Sequence, residues 1–390
     1  MNEKLIIRNF GPIKDVELDL RKINIFIGDQ GTGKSTVAKV LYAVKSASYR
    51  QTSDLTLSDG HGGVVTDINQ INTYKNNQFI DEFNNVIELL DIKGYWNRDN
   101  ESYIYFENSF CEVIIEGNNI QFKPVVHVDE STKDKNTNLN YYIPAFRESY
   151  ILLRNNYPAI LNAKANLPFL LNSFGQRFNN SRENQLSFDY NSILNITYSF
   201  ENGRDIIQMD DGNEIKFEES SSAINSVVPM LVVADGICNE MRQNTYRIFY
   251  KANRPFITIE EPELNCFPNT QNELVKHLIE NIKNPYENDL LCNLLITTHS
   301  PYILTSLNNS MFAYQAGQID KVAASDIIEE KYWVNPKDVS CYMMQEGGAV
   351  SIIDEDGQIM ADYIDSISVE INNEYLRLNE IKIKHGMEIN

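Results

Sequence analysis

Cysteine is scarce in this chain of 390 residues, and its distribution excludes a common kind of metal site. No two cysteines form the Cys-x-x-Cys pair from which structural zinc sites are usually built. Scattered single thiols are typical of a reducing compartment, so we expect reduced, mostly buried cysteines in a cytoplasmic protein. They are Cys111, Cys238, Cys266, Cys292 and Cys341.

Long hydrophobic runs are also missing. No stretch of about 18 consecutive apolar residues occurs, which predicts that no helix spans a membrane and that no membrane is a partner. Residues 1–20 are charged and alternating, unlike a secretory signal. Hydrophobic residues still make up 42% of the chain, enough for one large domain or two to three lobes. This composition excludes a mostly disordered chain, a collagen-like chain and a disulfide miniprotein.

Positive charge is in short supply. The chain has 34 Lys and Arg against 54 Asp and Glu, a net charge of −20. Because duplex phosphates repel such a charge, a broad non-specific DNA-binding face is disfavoured, although a local basic groove stays compatible with it. No internal repeat and no sustained apolar heptads occur, so we expect no long coiled-coil arms.

A phosphate-binding loop near the N-terminus is the strongest positive signal. The apolar run 23–27 predicts a buried strand, the pattern Gly-x4-Gly-Lys-Ser follows at 28–35, and apolar residues then recur at helical spacing. Glycines let backbone amides approach phosphate oxygens, and a helix N-terminus attracts anions. A glycine turn that matches by chance is the alternative, and the flanking strand and helix argue against it. The predicted nucleotide-binding residues are Gly28, Gln30, Gly31, Thr32, Gly33, Lys34, Ser35 and Thr36.

Two further apolar strands end in chemically active side chains. Residues 256–259 run into Glu260 and Glu261, and residues 293–297 lead to His299, with a helical pattern between the strands. This βαβ arrangement predicts parallel strands whose carboxyl ends meet at one edge. There, Glu260 can hold Mg²⁺ directly or through water, and Glu261 can polarise the attacking water. The imidazole of His299 can hydrogen-bond to the γ-phosphate or to that water. The alternatives are a solvated strand end and a hydrogen-bonded core histidine.

Together these segments resemble the ATP-binding-cassette branch of P-loop ATPases in its SMC-like form. The resemblance is carried by IRNFGPIKDVELDL with INIFIGDQGTGKST, by ITIEEPELNCFP and by LLITTHSPYIL. It extends to ATPases of bacterial anti-phage loci and of the overcoming-lysogenization-defect nucleases. It implies an α/β fold, an ABC-type P-loop ATPase core with a mixed sheet and an inserted lobe of helices and antiparallel strands.

The same resemblance implies roles for individual residues and the cofactors ATP and Mg²⁺. Lys34 takes a phosphate role, Ser35 and Glu260 take the metal, Glu261 becomes the catalytic base and His299 becomes the switch histidine. Lys34, Glu261 and His299 are therefore the predicted catalytic residues.

Relatives also carry a serine-serine-glycine signature at a helix start, which contacts ATP bound to the opposite subunit. The matching segment here is residues 220–226. Its first part, residues 220–222, is called the serine loop, and its Ser221 and Ser222 are predicted to contact nucleotide. Ala223 stands where glycine is usual, and an ordinary serine-rich N-cap loop is the alternative. A Tyr-Ile-Pro-Ala-x-Arg element also matches at 142–147. Its Arg147 is expected to contact nucleotide or an adjacent acid, or else to be a surface arginine after a strand.

Four segments follow from these assignments. Residues 1–48 and 218–320 form the two halves of the nucleotide-binding core, and residues 49–217 form the inserted lobe. Residues 321–390 form a C-terminal extension that packs on the core or binds a partner. No appended nuclease module is expected after the ATPase.

The favoured function is an ATP-driven switch. Two subunits, or a higher oligomer, sandwich ATP head to tail and control a separately encoded effector, a nuclease or toxin, in anti-phage defence. The alternative is a DNA-handling ATPase of repair or recombination, which the charge disfavours. A transport ATPase subunit is a third reading, and the large insert and the divergent signature argue against it.

Overall fold

The structure is a computed structural model, and its described part has several gaps. Within it, two antiparallel strands at the N-terminus, β1 (Glu3–Phe10) and β2 (Ile13–Leu20), precede β3 (Ile23–Ile27). The residues described are 3–52, 68–96, 102–124, 139–154, 167–243, 254–284, 289–360, 373–378 and 380. In β2, Val16, Leu18 and Leu20 are buried and Glu17 and Asp19 are exposed, as alternation predicts for a strand with one face on the core.

The remaining strands and the helices follow in chain order. The strands are β4 (Tyr103–Glu107), β5 (Cys111–Glu116), β6 (Asn119–Pro124), β7 (Asn140–Ile143), β8 (Ser187–Asp189), β9 (Ile196–Glu201), β10 (Arg204–Met209), β11 (Glu214–Lys216), β12 (Phe256–Glu260), β13 (Asn293–Thr298), β14 (Val339–Gln345) and β15 (Gly348–Ser351). The helices are α1 (Lys34–Thr52), α2 (Ile68–Leu89), α3 (Glu148–Leu153), α4 (Phe169–Asn184), α5 (Asn191–Leu194), α6 (Ser222–Gln243), α7 (Pro268–Ile282), α8 (Pro301–Gly317) and α9 (Lys321–Ile327).

The described strands form one large mixed sheet and one small antiparallel sheet. The large sheet has the order β6-β5-β4-β1-β2-β15-β14-β3-β13-β12-β7, and the small sheet has the order β11-β10-β9-β8. Strands β7, β12, β13, β3 and β14 are parallel to their neighbours within this part of the large sheet. The predicted α/β fold with a mixed sheet is confirmed.

Helices cover both faces of the parallel part of the sheet. Ile23, Ile25 and Ile27 of β3 pack in the same core cluster as α6, α7 and α8, whereas Phe26 packs with α1 and α2 on the other face. Because successive side chains of a strand point to opposite faces, a strand between two helical layers must be buried on both. All five residues of β3 are buried, and its one polar residue, Asn24, is hydrogen-bonded. The predicted buried strand at 23–27 is therefore confirmed.

The strands of the predicted insert at 49–217 lie in three places. Its strands β4, β5 and β6 continue the large sheet outward from β1, while β8 to β11 form the small sheet. Its strand β7 pairs with β12 at the opposite edge of the large sheet. The segment is thus not one lobe beside the core, because long-range strand pairing joins two parts of it to the main sheet. The C-terminal segment 321–390 likewise supplies β14 and β15 to this sheet, and residues 361–372 lie outside the described residues.

Helix α6 is the central helix of one core cluster. By length and composition alone it is the one helix in the described residues that could cross a membrane, and 72% of that stretch is buried inside this protein. Its burial is that of a core helix packed against α4 and α7. The five cysteines are free thiols, and four of them are buried as expected, with Cys266 half-buried.

Candidate functional site

The phosphate-binding loop lies between the end of β3 and the start of α1. Gly28, Gly31 and Gly33 all have positive φ angles, and a Cβ on Gly28 would overlap the carbonyl oxygen of Met344 on β14. Glycine is therefore required where the loop passes this neighbouring strand. Asp29, Gln30 and Gly31, at the tip of the loop, are exposed, so the loop opens to solvent. Thr36 is buried in the first turn of α1.

Lys34 is folded back into its own loop. Its Nζ donates to the carbonyl oxygens of Gly28 at 2.7 Å and Asp29 at 2.8 Å, and only 5% of the residue is exposed. Burial lowers the pKa of Lys34, and the nearby carboxylates of Glu261, Asp29 and Glu263 oppose that shift. A buried cation with two neutral acceptors is a site that gains from an arriving anion.

The carboxylate of Glu260 is enclosed at the end of β12. The residue is 4% exposed, Oε1 accepts from the hydroxyl of Tyr142 at 2.7 Å and Oε2 accepts from the backbone N–H of Ala145 at 3.1 Å. Burial, with the Glu260 carboxylate close by, raises the pKa of Tyr142 far above its ordinary value, so its hydroxyl keeps its proton and donates. The sequence pattern points to the element at 142–147 but not to the contacts of Tyr142 and Ala145 with Glu260, because only strand order brings β7 beside β12.

Lys34, His299 and Glu261 lie in one row. Nζ of Lys34 is 3.5 Å from Nδ1 of His299, and Nε2 of His299 is 3.6 Å from Oε1 of Glu261. An ammonium group only donates, so a hydrogen bond between these two groups requires Nδ1 as the acceptor, with the ring proton on Nε2. The strand ends thus lie side by side, as predicted. Strand β13 lies between β3 and β12, and His299, which directly follows β13, lies between Lys34 and Glu261.

The backbone of Glu261 is in the left-handed region at φ 44°. Its N–H donates to the carbonyl of Thr297 on β13 at 2.8 Å, and its carbonyl accepts from Nη2 of Arg147 at 2.9 Å. A non-glycine residue in this region is strained, and its neighbours must hold it there. The side chain is partly exposed, at 31%, which suits a group that meets a solvent-borne reactant.

Glu263 is a second acid that sequence reasoning left without a role. Its Oε1 accepts from the Thr298 hydroxyl at 2.7 Å and from the His299 N–H at 2.8 Å. It therefore fixes the end of β13 that presents the imidazole. Its Oε2 is buried and has no hydrogen-bond partner within the part of the chain that the structure describes.

Arg147 is not the surface arginine that was one of the expectations from the sequence. It contacts neither open solvent nor a carboxylate through a hydrogen bond among the described residues, and its exposed fraction is 0%. Its guanidinium donates instead to main-chain carbonyls at the end of β12 and to Ser226 of α6. The reading as a surface arginine is wrong, because the 3-10 turn that follows β7 tucks the side chain between β12 and α6.

The serine loop is exposed at the start of α6. Ser221 and Ser222 are both exposed, and Ser221 Oγ accepts a long hydrogen bond from the N–H of Ile224 at 3.4 Å. No hydrogen bond in the described ranges joins Ser221 or Ser222 to the loop 28–36. Within one chain the structure therefore brings Lys34, His299, Glu261 and Glu260 into one region but leaves these two serines facing solvent.

The chain is similar to several solved structures at low sequence identity. The SMC head domain from Thermotoga maritima has a TM-score of 0.41 and 12% identity, with 90% of this chain and 98% of that chain covered. An Smc head with an extended coiled coil, bound to the C-terminal domain of ScpA derived from Pyrococcus furiosus, has values of 0.40 and 11%, with coverage of 95% and 99%. A nucleotide-free ATP-binding cassette from an ABC transporter has values of 0.33 and 12%, with coverage of 91% and 93%.

Sequence comparison assigns the chain to a family. No curated protein sequence matches it. The family model described as the AAA ATPase domain matches residues 1–226, from β1 through the phosphate-binding loop to the first turn of α6. Because this match covers more than half of the 390 residues, the chain belongs to the AAA ATPase domain family.

Proposed function

We propose that this ATPase binds and hydrolyses ATP as a switch and closes as a head-to-tail dimer around the nucleotide. The observation that carries the proposal is the row in which His299 lies between Nζ of Lys34 and Oε1 of Glu261, at 3.5 and 3.6 Å. In such a site a cation binds the phosphate, a base activates the water, and an imidazole between them can respond to both. These three groups must lie within a few ångströms of one another.

Binding follows from the state of Lys34. Its ammonium donates to two neutral carbonyls of its own loop and is desolvated by burial. Phosphate oxygens are anionic and accept stronger, charge-assisted hydrogen bonds than carbonyls do. Exchange of Gly28 and Asp29 oxygens for phosphate oxygens is therefore favourable, and the exposed loop tip gives the triphosphate access to backbone N–H groups.

Hydrolysis needs a base that orients and deprotonates water. Glu261 is partly exposed, and its backbone is held on both sides by Thr297 and Arg147. A fixed carboxylate beside a donor imidazole orients a water between base and γ-phosphate. Nε2 of His299 lies on the side of Glu261 and Nδ1 on the side of Lys34, so the imidazole lies between the base and the lysine that holds the phosphate.

The residues at this edge also fit Mg²⁺. Ser35 is exposed in the first turn of α1, and its hydroxyl has no hydrogen-bond partner in the described part of the chain. Glu260 is anionic and keeps further lone pairs beyond the two bonds that it accepts. Oxygen donors are the ligands that Mg²⁺ prefers, and it needs few from the protein because phosphates and waters complete its shell. Bound there, the ion would neutralise charge on the phosphates.

Dimer closure is supported by the serine loop. Ser221 and Ser222 are exposed at the positive end of a 22-residue helix, and they make no hydrogen bond to the loop 28–36 of their own chain. Hydroxyls at a helix N-terminus suit an anion, so these serines are available to the γ-phosphate of a second subunit. We assign closure to ATP binding and opening to its hydrolysis.

The output of the switch is a separately encoded effector, which we take to be a nuclease or toxin of an anti-phage locus. Direct action on nucleic acid is less well supported, because the net charge of −20 opposes phosphate binding. Co-purification with ATP present identifies the effector. DNA binding that weakens steeply with added salt would instead favour the repair or recombination role.

The test is ATP turnover and mass in solution. Wild-type protein should release phosphate when Mg²⁺ is present and should double its mass by light scattering when ATP is added. Lys34→Ala should do neither, because the phosphates lose their cation. Equal turnover by wild type and Lys34→Ala would overturn the proposal, and so would an ATP-bound monomer.

A further inference from the structure

Every N–H group of the Arg147 guanidinium has an acceptor. Nε donates to the Ser226 carbonyl at 2.9 Å, Nη1 donates to the carbonyls of Pro144 at 3.2 Å and Glu260 at 2.8 Å, and Nη2 donates to the Glu261 carbonyl at 2.9 Å and the Ser226 hydroxyl at 3.3 Å. An arginine has five such donors in one rigid plane, and all five are used here.

This arginine is charged and fully buried, yet it binds dipoles. Burial lowers the pKa of Arg147 to about 10, and nearby Cys266 and acidic side chains oppose that shift. A buried guanidinium without a carboxylate bonded to it is costly, so its carbonyl partners must lie in fixed positions to compensate. A residue needed only to fill space would not require five aligned acceptors.

The carbonyls belong to two parts of the proposed site. Those of Glu260 and Glu261 end β12, and the left-handed Glu261 is clamped by Arg147 on its carbonyl and by Thr297 on its N–H. A displaced guanidinium would release one side of that clamp and let the carboxylate turn away from His299.

The other contacts lie on α6, one turn beyond the serine loop. Ser226 follows Ser222 by four residues, and Pro229 lies inside the same helix. Proline has no N–H and therefore leaves the carbonyl of Asn225 without its helical donor. The start of α6 thus lacks one helical hydrogen bond, and Arg147 ties the helix to β12 just beyond its first turn.

We infer that Arg147 is a positioning residue that couples the serine loop to the base: contact of Ser221 and Ser222 with a γ-phosphate shifts the start of α6, and the guanidinium carries this shift to the backbone of Glu261. The inference rests on the proposed function. It makes hydrolysis depend on occupation of the serine loop by the nucleotide of a second copy of this chain.

The experiment is a double-mutant cycle on turnover. Arg147→Lys keeps the charge but loses the planar fork, so the KM for ATP should stay within about threefold while kcat falls by about 10- to 100-fold, the order expected for a misplaced base. Ser222→Ala should lower kcat in the wild-type background. In the Arg147→Lys background it should change kcat by less than about twofold, because the coupling is already broken.

A matched control lies on the same helix. Arg242 is in the last turn of α6 and donates to the carbonyl of Asn281, away from β12. The effects of Arg242→Lys and Ser222→Ala on kcat should multiply. Multiplicative effects for Arg147→Lys and Ser222→Ala as well would overturn the inference, since a merely structural arginine gives that result.

Two further arms cover the other outcomes. If Arg147→Lys does not fold, by circular dichroism, the cycle is run with Ser226→Ala, which removes only the hydroxyl acceptor of Nη2; coupling of the same sign supports the inference and multiplicative effects refute it. If Lys34→Ala turns over ATP as wild type does, the proposed function fails and the inference falls with it. Normal wild-type turnover with multiplicative effects refutes the inference alone.

Discussion

Replacing Glu261 with glutamine changes basicity while the geometry around the residue is kept. The contacts that hold residue 261 are made by its main chain: its N–H donates to Thr297, and its carbonyl accepts from Arg147. Glutamine has nearly the same shape as glutamate and keeps both contacts. The substitution therefore removes a proton acceptor and one negative charge at 3.6 Å from His299.

The magnitude follows from these two losses. A positioned general base contributes about 10²- to 10⁴-fold to a rate, so kcat for Glu261→Gln should fall by that factor, about 3–5 kcal/mol in barrier height. ATP should be held at least as tightly as in the wild type, because a carboxylate that repels the γ-phosphate is gone. Slow hydrolysis with retained binding keeps the closed state, so the variant should accumulate as an ATP-bound dimer.

The assay combines phosphate release with light scattering and analysis of bound nucleotide. The matched control is Glu148→Gln, an acid at the start of α3 whose Oε2 accepts a long hydrogen bond from Asn265, at 3.4 Å. Glu148→Gln should hydrolyse ATP at the wild-type rate and release its dimer as the wild type does. Wild-type turnover by Glu261→Gln would show that another group, with Glu263 as the first candidate, is the base.

Three other predictions test separate parts of the structure. Ala223→Gly should tighten ATP-dependent dimerisation in sedimentation equilibrium, and an unchanged dimer constant would remove the serine loop from the nucleotide site. Tyr142→Phe deletes the hydroxyl that donates to Glu260 and should lower the free energy of unfolding by about 1.5–3 kcal/mol in urea titration; no loss would mean that the bond contributes nothing. Burial lowers the pKa of His277, but the charge and hydrogen bond of Asp235, together with the charge of Glu280, raise it to above its ordinary 6.5. The protonated form is therefore favoured in the folded state, and its stabilisation is present below pH 6.5 and lost as pH rises through the raised pKa. The urea midpoint should fall over that range, and His277→Gln should flatten the dependence.

The local elements of the nucleotide core could be predicted from the sequence because each has a short-range cause. Glycines before Lys34, five buried residues in β3 and apolar side chains at helical spacing in α1 all act within one element or its immediate neighbour. The parallel pairing of β12 with β13 could be predicted for a similar reason, since a βαβ unit has one common handedness and its strand ends meet. These rules together brought Lys34, Glu261 and His299 to one edge.

The assembly of the sheet could not be predicted in the same way. Strand β14 pairs with β3 although more than 300 residues separate them in the chain, and β4 to β6 extend the sheet from β1 across α1 and α2. No periodicity within a strand specifies a partner that far away. An antiparallel hairpin has the same sequence pattern whether it lies in a separate lobe or at the edge of a larger sheet. The insert was therefore expected to be one lobe, and its division was missed.

The role of Arg147 was missed for a related reason, and it changes what the two acids at the end of β12 mean. The apolar strand and Glu260-Glu261 specify a strand end, but not the left-handed turn at Glu261, which costs about 1–2 kcal/mol because its Cβ lies too close to the carbonyl oxygen. That turn persists because Thr297 of β13 holds one side of the peptide and Arg147, delivered by β7, holds the other. Glu261, the proposed base, is thus placed by three strands and one helix rather than by its own segment. A chain with the same residues at 256–261 but without Arg147 would therefore keep strand β12, but the carboxylate of Glu261 would no longer be held in its orientation.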